Sequence, residues 1–225
     1  MKFKLTEETQ TFNSIKLFRI EYASGDKGGW LEKESNLSQE GDAVVYGAAR
    51  VYGAARVYGD ARVCGDAVVC GDAVVYGAAR VYGAARVYGA AMVYSAARVC
   101  GDAVVCGDAV VCGAALVYGA ARVSGAAVVC GDAVVWGDAV VYGDAVVYGA
   151  ARVSGDIWEK SPLYIQGSKH SLTNSKHGYL KIGCTEHPFA YWKEHFKAIG
   201  RSEGYTAEEI EEYGVYIDLF TKVGK

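Results

Sequence analysis

The chain has 225 residues, 52% of them apolar and 22% charged, with a formal net charge of −3. That apolar fraction excludes a disordered chain and leaves room for one substantial core, or for a solenoid with a small satellite unit. The slightly acidic balance excludes the global basicity expected of a protein that binds long nucleic acid, so any anion site must come from local groups of Arg and Lys.

Residues 1–40 mix charged and apolar residues throughout. Lys2–Phe12 and Ser14–Ala23 read as two short strands, followed by the turn-rich stretch Ser24–Trp30. No apolar run in the chain approaches the roughly 18 residues of a membrane span, and the N-terminus lacks the pattern of a signal peptide. The expectation is a soluble, cytoplasmic protein with no membrane partner. Residues 1–40 fit a β cap on whatever follows, with Trp30, Leu31 and Leu37 as candidates to plug its first coil.

From Gly41 the sequence becomes an uninterrupted six-residue repeat, GDAVVY, GAARVY, GAARVY, GDARVC, continuing for nineteen hexads to Ser154. Only Ser95 replaces the leading Gly. The third and fifth positions are always Ala and Val, as in Ala43 and Val45, or Ala151 and Val153. Alternate strand residues point to one face, so Ala and Val point inward and the fourth and sixth positions outward. Gly with Asp or Ala makes each corner, where Gly tolerates backbone angles that a Cβ penalises. No single hexad can bury this stripe, so coils must stack on one another. Cys64, Cys70, Cys100, Cys106, Cys112 and Cys130 all fall on the sixth position, in place of Tyr, Ser or Trp. They read as rung residues in a reducing compartment, not as a disulfide framework.

An aliphatic residue followed four positions later by a small one, as in Val45 to Ala49 and Val51 to Ala55, resembles the hexapeptide-repeat family. The resemblance implies a mainly β fold, a single-stranded left-handed parallel β-helix over 41–156 with three hexads per coil and about six coils. Two hexads per coil remains the alternative. With three, residues 18 apart stack at about 4.8 Å.

Three outward ladders follow. One carries Val44, Arg62, Arg80, Arg98, Leu116, Val134 and Arg152, with Tyr46, Cys64, Tyr82 and Cys100 beside them. A second alternates Arg50, Val68, Arg86, Val104, Arg122 and Val140. The third runs Arg56, Val74, Met92, Val110, Val128 and Val146. An apolar stripe of that length needs a cover. Either the chain's own C-terminal segment lies on it, or a second copy does, which makes a homo-oligomer through Val74, Met92, Val110, Val128 and Val146 an expected partnership. Corner Asp residues such as Asp66, Asp102 and Asp138 recur only every second coil, which argues against calcium ladders.

The family includes many acyltransferases that use a His in the coils or an inserted loop. Here His170, His177, His187 and His195 all follow the repeats and no loop interrupts them, which removes the usual place for a general base.

Residues 157–225 change composition. Pro162–Ser168 and Gly178–Cys184 read as strands of a hairpin joined by the polar segment Lys169–His177. Pro188 then opens a helix with Phe189, Trp192, Phe196 and Ile199 on one face and Gly200 as its stop. Thr206 and Glu209 form a capping box for a second helix carrying Ile210, Tyr213, Ile217 and Phe220. The apolar β-helix face is the surface these stripes are expected to cover.

Gly25–Gly41, the coils, and the pattern Ser168-Lys169, Leu172-Thr173, Asn174-Ser175 and Ile182-Gly183-Cys184 together resemble uncharacterised hexapeptide-repeat proteins of phages and prophages, often labelled transferases. Small polar groups around the strand pair suit an anion pocket, with Ser168, Lys169, His170, Thr173, Asn174, Cys184 and His187 as candidate ligand-binding residues. The bland alternative is a hairpin whose Thr and Asn satisfy turns. Cys184 and His187 are also a conceivable nucleophile and base, although their spacing alone does not bring them together. On the coils, Arg62, Arg80 and Arg98 with Tyr82 offer the guanidinium and aromatic groups that grip phosphates and bases. The sequence therefore points to a non-enzymatic protein that holds a small anionic, nucleotide-like ligand between the Arg rungs and the C-terminal segment, with no cofactor or metal. A structural or virion-assembly scaffold and an acyltransferase are the competing readings.

Overall fold

A computed structural model describes residues 1–224. Strands β1 (Phe3–Phe12) and β2 (Ile15–Tyr22) form an antiparallel hairpin, and β2 pairs with β3 (Lys27–Leu31). The nineteen strands β4 to β22, from Val44–Val45 to Arg152–Ser154, each cover the fourth and fifth residues of a hexad, and β23 (Ile157–Trp158) follows them. They form three parallel sheets, and every third hexad belongs to the same sheet. Arg62 pairs with Arg80 and Arg80 with Arg98, so residues 18 apart stack and the two-hexad coil is excluded. One sheet contains seven solenoid strands.

Each rung bonds to the next by the same pair of bonds. The Arg80 N–H donates to the Ala97 carbonyl at 2.9 Å, and the Tyr82 N–H to the Val99 carbonyl at 3.0 Å. Inside, every third-position Ala and fifth-position Val of the repeats is buried in one continuous core. The narrow coil leaves room for a methyl at one layer and an isopropyl at the other. Each corner Gly that opens a hexad has positive φ, and from Gly41 to Gly131 a Cβ there would crowd the next coil's backbone, as at Gly113, 2.8 Å from the Gly131 amide nitrogen. Ser95 keeps the same left-handed backbone at φ +61°.

The solenoid starts and ends outside the perfect hexads. Leu31 pairs with Val51, and Leu37 bridges to Val57, so both enter the core from the N-terminal side. Trp30 does not plug the coil. It pairs with outward Arg50, and the Arg19 guanidinium lies 5.0 Å over its ring. Strand alternation puts Trp30 outside because Leu31 takes the inward place. At the other end Trp158 pairs with Val141 and is buried as the last core residue.

The C-terminal unit departs from the sequence expectation in three ways. First, the polar segment is no connector: Ser171–Lys176 is β25, between β24 (Tyr164–Gln166) and β26 (Tyr179–Ile182), with β27 (Thr185–Pro188) completing an antiparallel sheet. Thr173, Asn174 and Ser175 are buried there, close to the last coil, because β25 stacks against β22. Second, helix α1 (Phe189–Ser202) runs past Gly200. This Gly allows close helix packing, since a Cβ would meet Ile210 at 2.8 Å. Third, α1 and α2 (Ala207–Val223) do not cover the apolar β-helix face. Trp192, Tyr213, Ile217 and Phe220 instead form a second core with Leu172, Leu180 and Ile182 of their own sheet. The Thr206–Glu209 capping box forms as expected. No helix among the described residues is long and apolar enough to cross a membrane.

Candidate functional site

The register that stacks the coils puts Arg62, Arg80 and Arg98 on three successive rungs. All three are exposed, and among the described residues none of them makes a salt bridge. Unit charges about 4.8 Å apart repel by about 0.9 kcal/mol even in a water-like dielectric, so the ladder favours an anion that bridges it. With Tyr46, Cys64 and Tyr82 the three arginines line a groove of about 210 Å³.

The sixth positions shape that groove. Tyr46 and Tyr82 are two rungs apart, about 9.6 Å, and the small Cys64 lies between them. Further along the same ladder the Tyr118 and Trp136 rings lie nearly parallel, 6.5 Å apart. The Cys64 thiol beside Tyr46, with partial burial, raises its phenol pKa against the pull of Arg62 and Arg80. Cys100 does the same for Tyr82, against Arg98 and Arg80. Both phenols therefore stay protonated at neutral pH and can donate hydrogen bonds.

The C-terminal residues singled out by sequence are placed elsewhere and are mostly engaged. The Ser168 N–H donates to Glu212 Oε1 at 2.9 Å. Lys169 Nζ donates to the Gly204 carbonyl at 2.8 Å, pairs with Glu209 at 3.2 Å and lies 4.6 Å from the centre of the Tyr205 ring. Thr173 and Asn174 are buried in β25. The His187 ring packs on Tyr191 and Trp192 at 4.1 and 5.4 Å between centroids, while Cys184 is exposed with its Sγ 4.0 Å from Thr185 Oγ1.

Of these seven residues only His170 and Cys184 line the cavity between the sheet and the helices. That cavity is about 70 Å³, walled mainly by Ile182, Trp192, Phe196, Ile199 and Tyr213, with Glu203 as its acid. Space for a few waters, apolar walls and a carboxylate suit no nucleotide. No residue lines both this cavity and the arginine groove. The sequence places Tyr46 and Cys64 on this ladder, but they are not among the binding residues expected from it, although the 18-residue spacing that selected Tyr82 selects them equally.

Residues 55–71 and 97–113 match the family described as the YdcK beta solenoid repeat. The two matched segments include the Arg62 and Arg98 rungs, so they describe the frame of the groove and name no activity. A search of curated proteins finds no match. Stacking, register and repeat agree: residues 41–154 form a parallel β-solenoid of hexapeptide repeats, similar over these two segments to that solenoid-repeat family.

Proposed function

We propose that the chain is a non-enzymatic binding protein that holds a small phosphate-bearing, nucleotide-like ligand in the groove of Arg62, Arg80 and Arg98. The observation that carries this reading is the unbroken run of three exposed arginines in register without carboxylate partners. Guanidinium groups bind phosphate oxygens in bidentate fashion, and charge-assisted bonds of this kind are the strong ones. Tyr46 and Tyr82, separated by one small rung, offer ring faces to a base, and base–aromatic stacking is worth roughly 1–3 kcal/mol. If a phage encodes the protein, as the resemblance suggests, capture of a host signalling nucleotide is the corresponding role.

Calorimetry with mono-, di- and cyclic nucleotides tests the proposal. Arg80→Ala and Tyr82→Ala should each weaken binding about tenfold or more, the loss of one charged hydrogen bond or one stacked ring. Arg86→Ala, on another sheet, should leave it unchanged. Binding should weaken as salt is raised. Absence of binding across the panel, or binding indifferent to Arg80, overturns the proposal.

A further inference from the structure

The third face carries a feature absent from the other two. Its sixth positions run Tyr58, Tyr76, Tyr94, Cys112, Cys130 and Tyr148. The first three rings stack at 5.1 and 4.9 Å with planes 12° and 11° apart. Then two cysteines occupy consecutive rungs. Elsewhere in the repeats cysteines on one ladder are two rungs apart, as Cys64 and Cys100 or Cys70 and Cys106 are, with a tyrosine between them.

The spacing of the pair is set by the solenoid. Val110 pairs with Val128 and Val111 with Val129. The Cys112 and Cys130 N–H groups donate to Val129 and Val147 carbonyls, both at 2.9 Å, so the two cysteines repeat one backbone conformation one coil apart. Side chains leaving the two rungs in the same direction therefore start about 4.8 Å apart. A disulfide requires Cβ atoms about 3.5–4.5 Å apart, closer than the rungs. Two thiolate–metal bonds, each about 2.3 Å for zinc, span about 4.6 Å end to end, and the slightly shorter bonds of a two-coordinate soft cation are reached by a small turn of the two side chains.

Both thiols are free and half-exposed, and their outward neighbours Val110 and Val128 carry no charge. Burial and the Cys112 thiol beside it raise the Cys130 thiol pKa, so the two groups sense each other. Among the described residues no three His, Cys, Asp or Glu gather as a metal site, which leaves a pair and rules against a tetrahedral zinc site of four protein ligands.

We propose that Cys112 and Cys130 form a linear two-thiolate site for a soft cation of the copper(I) class, on a face separate from the arginine groove. Soft thiolates select copper(I) over harder divalent ions. Binding replaces two S–H bonds by two Cu–S bonds and releases two protons, with no change in oxidation state, and the bound unit carries one negative charge.

The test is anaerobic titration of the reduced protein with copper(I) against bicinchoninate as a competing chelator. One copper per chain should be retained, with two sulfur neighbours by X-ray absorption. Cys112→Ser and Cys130→Ser should each abolish retention. Both variants should fold, because Ser124 and Ser154 occupy the same repeat position, and circular dichroism verifies it. Cys64→Ser and Cys100→Ser should retain the copper. Three outcomes overturn the proposal: no uptake, uptake that survives loss of Cys112 or Cys130, or conversion of the pair to an intrachain disulfide under mild oxidation without any uptake by the reduced form.

Discussion

The Tyr22 hydroxyl accepts a hydrogen bond from the Val45 N–H at 2.7 Å and donates one to the Val45 carbonyl oxygen at 2.9 Å. Val45 lies on the terminal strand of the seven-stranded sheet, where no earlier coil exists to pair with it. One phenol thus stands in for the missing neighbour on both sides of a residue. Tyr22→Phe leaves a buried donor and acceptor unpaired, and a destabilisation of about 2 kcal/mol is expected from denaturant unfolding. Hydrogen exchange should show the Val45 amide losing protection first. If Val45 exchanges as slowly in the variant as in the parent, the pin is not what closes this end.

Alkaline pH should act through the same residue. Burial pushes the Tyr22 phenol up to about 12, with Val45 opposing and Tyr46 adding to the shift. Burial, then Tyr213 and the nearby acids Glu203 and Glu209, raise Tyr205 to about 12 as well. The ordinary value is 10.0. Because the folded state keeps these protons longer than the unfolded chain, their stabilisation is complete below pH 10 and is lost as pH rises from 10 toward 12. Thermal melts across that range should fall in midpoint, and Tyr22→Phe with Tyr205→Phe should flatten the decline. An unaltered slope in the double variant refutes the assignment.

A second tyrosine pin holds the C-terminal unit. The Tyr213 hydroxyl accepts from the Lys169 N–H at 3.1 Å and the His170 N–H at 2.5 Å, and donates to the His170 carbonyl at 2.8 Å. Tyr213→Phe should cost about 2 kcal/mol, confined to residues 157–224. Exchange should accelerate at the Lys169 and His170 amides while solenoid amides such as Val99 keep their protection. Uniform acceleration through the coils would instead show one cooperative unit.

Two corner glycines separate backbone strain from stacking. Gly113 and Gly155 both have positive φ, +69° and +59°. A Cβ on Gly113 meets Gly131 backbone at 2.8 Å, whereas at Gly155 nothing lies within 4 Å. Ala at either site incurs the left-handed penalty of roughly 1–2 kcal/mol. Only Gly113→Ala also pushes coils apart, so it should unfold at clearly lower denaturant than Gly155→Ala. Equal midpoints would mean that the coils yield without cost.

The solenoid was legible because its signal repeats: Ala and Val at fixed hexad positions define the inside, and 18-residue spacing sorts Arg62, Arg80 and Arg98 onto one ladder. The C-terminal unit was not, since its signals occur once. Thr173, Asn174 and Ser175 look like a turn by composition, yet β25 buries them against the end of the coils. The helix stripes showed that Trp192 and Tyr213 must be covered but not by what, and their own sheet was the nearer surface. Lys169 looked available for an anion until Glu209, 40 residues later, took it.

The coil of three hexads also fixes how this protein can change length. Removing or duplicating 18 residues within the repeats shortens or extends the rod by about 4.8 Å and returns every later side chain to its own face. A change of six residues rotates everything downstream by one third of a turn, moving all three ladders out of line beyond that point and swinging the C-terminal unit to another side. Length is therefore a quantised trait of this chain, and insertions or deletions that are not multiples of one coil redistribute its surface chemistry even where they leave the core intact.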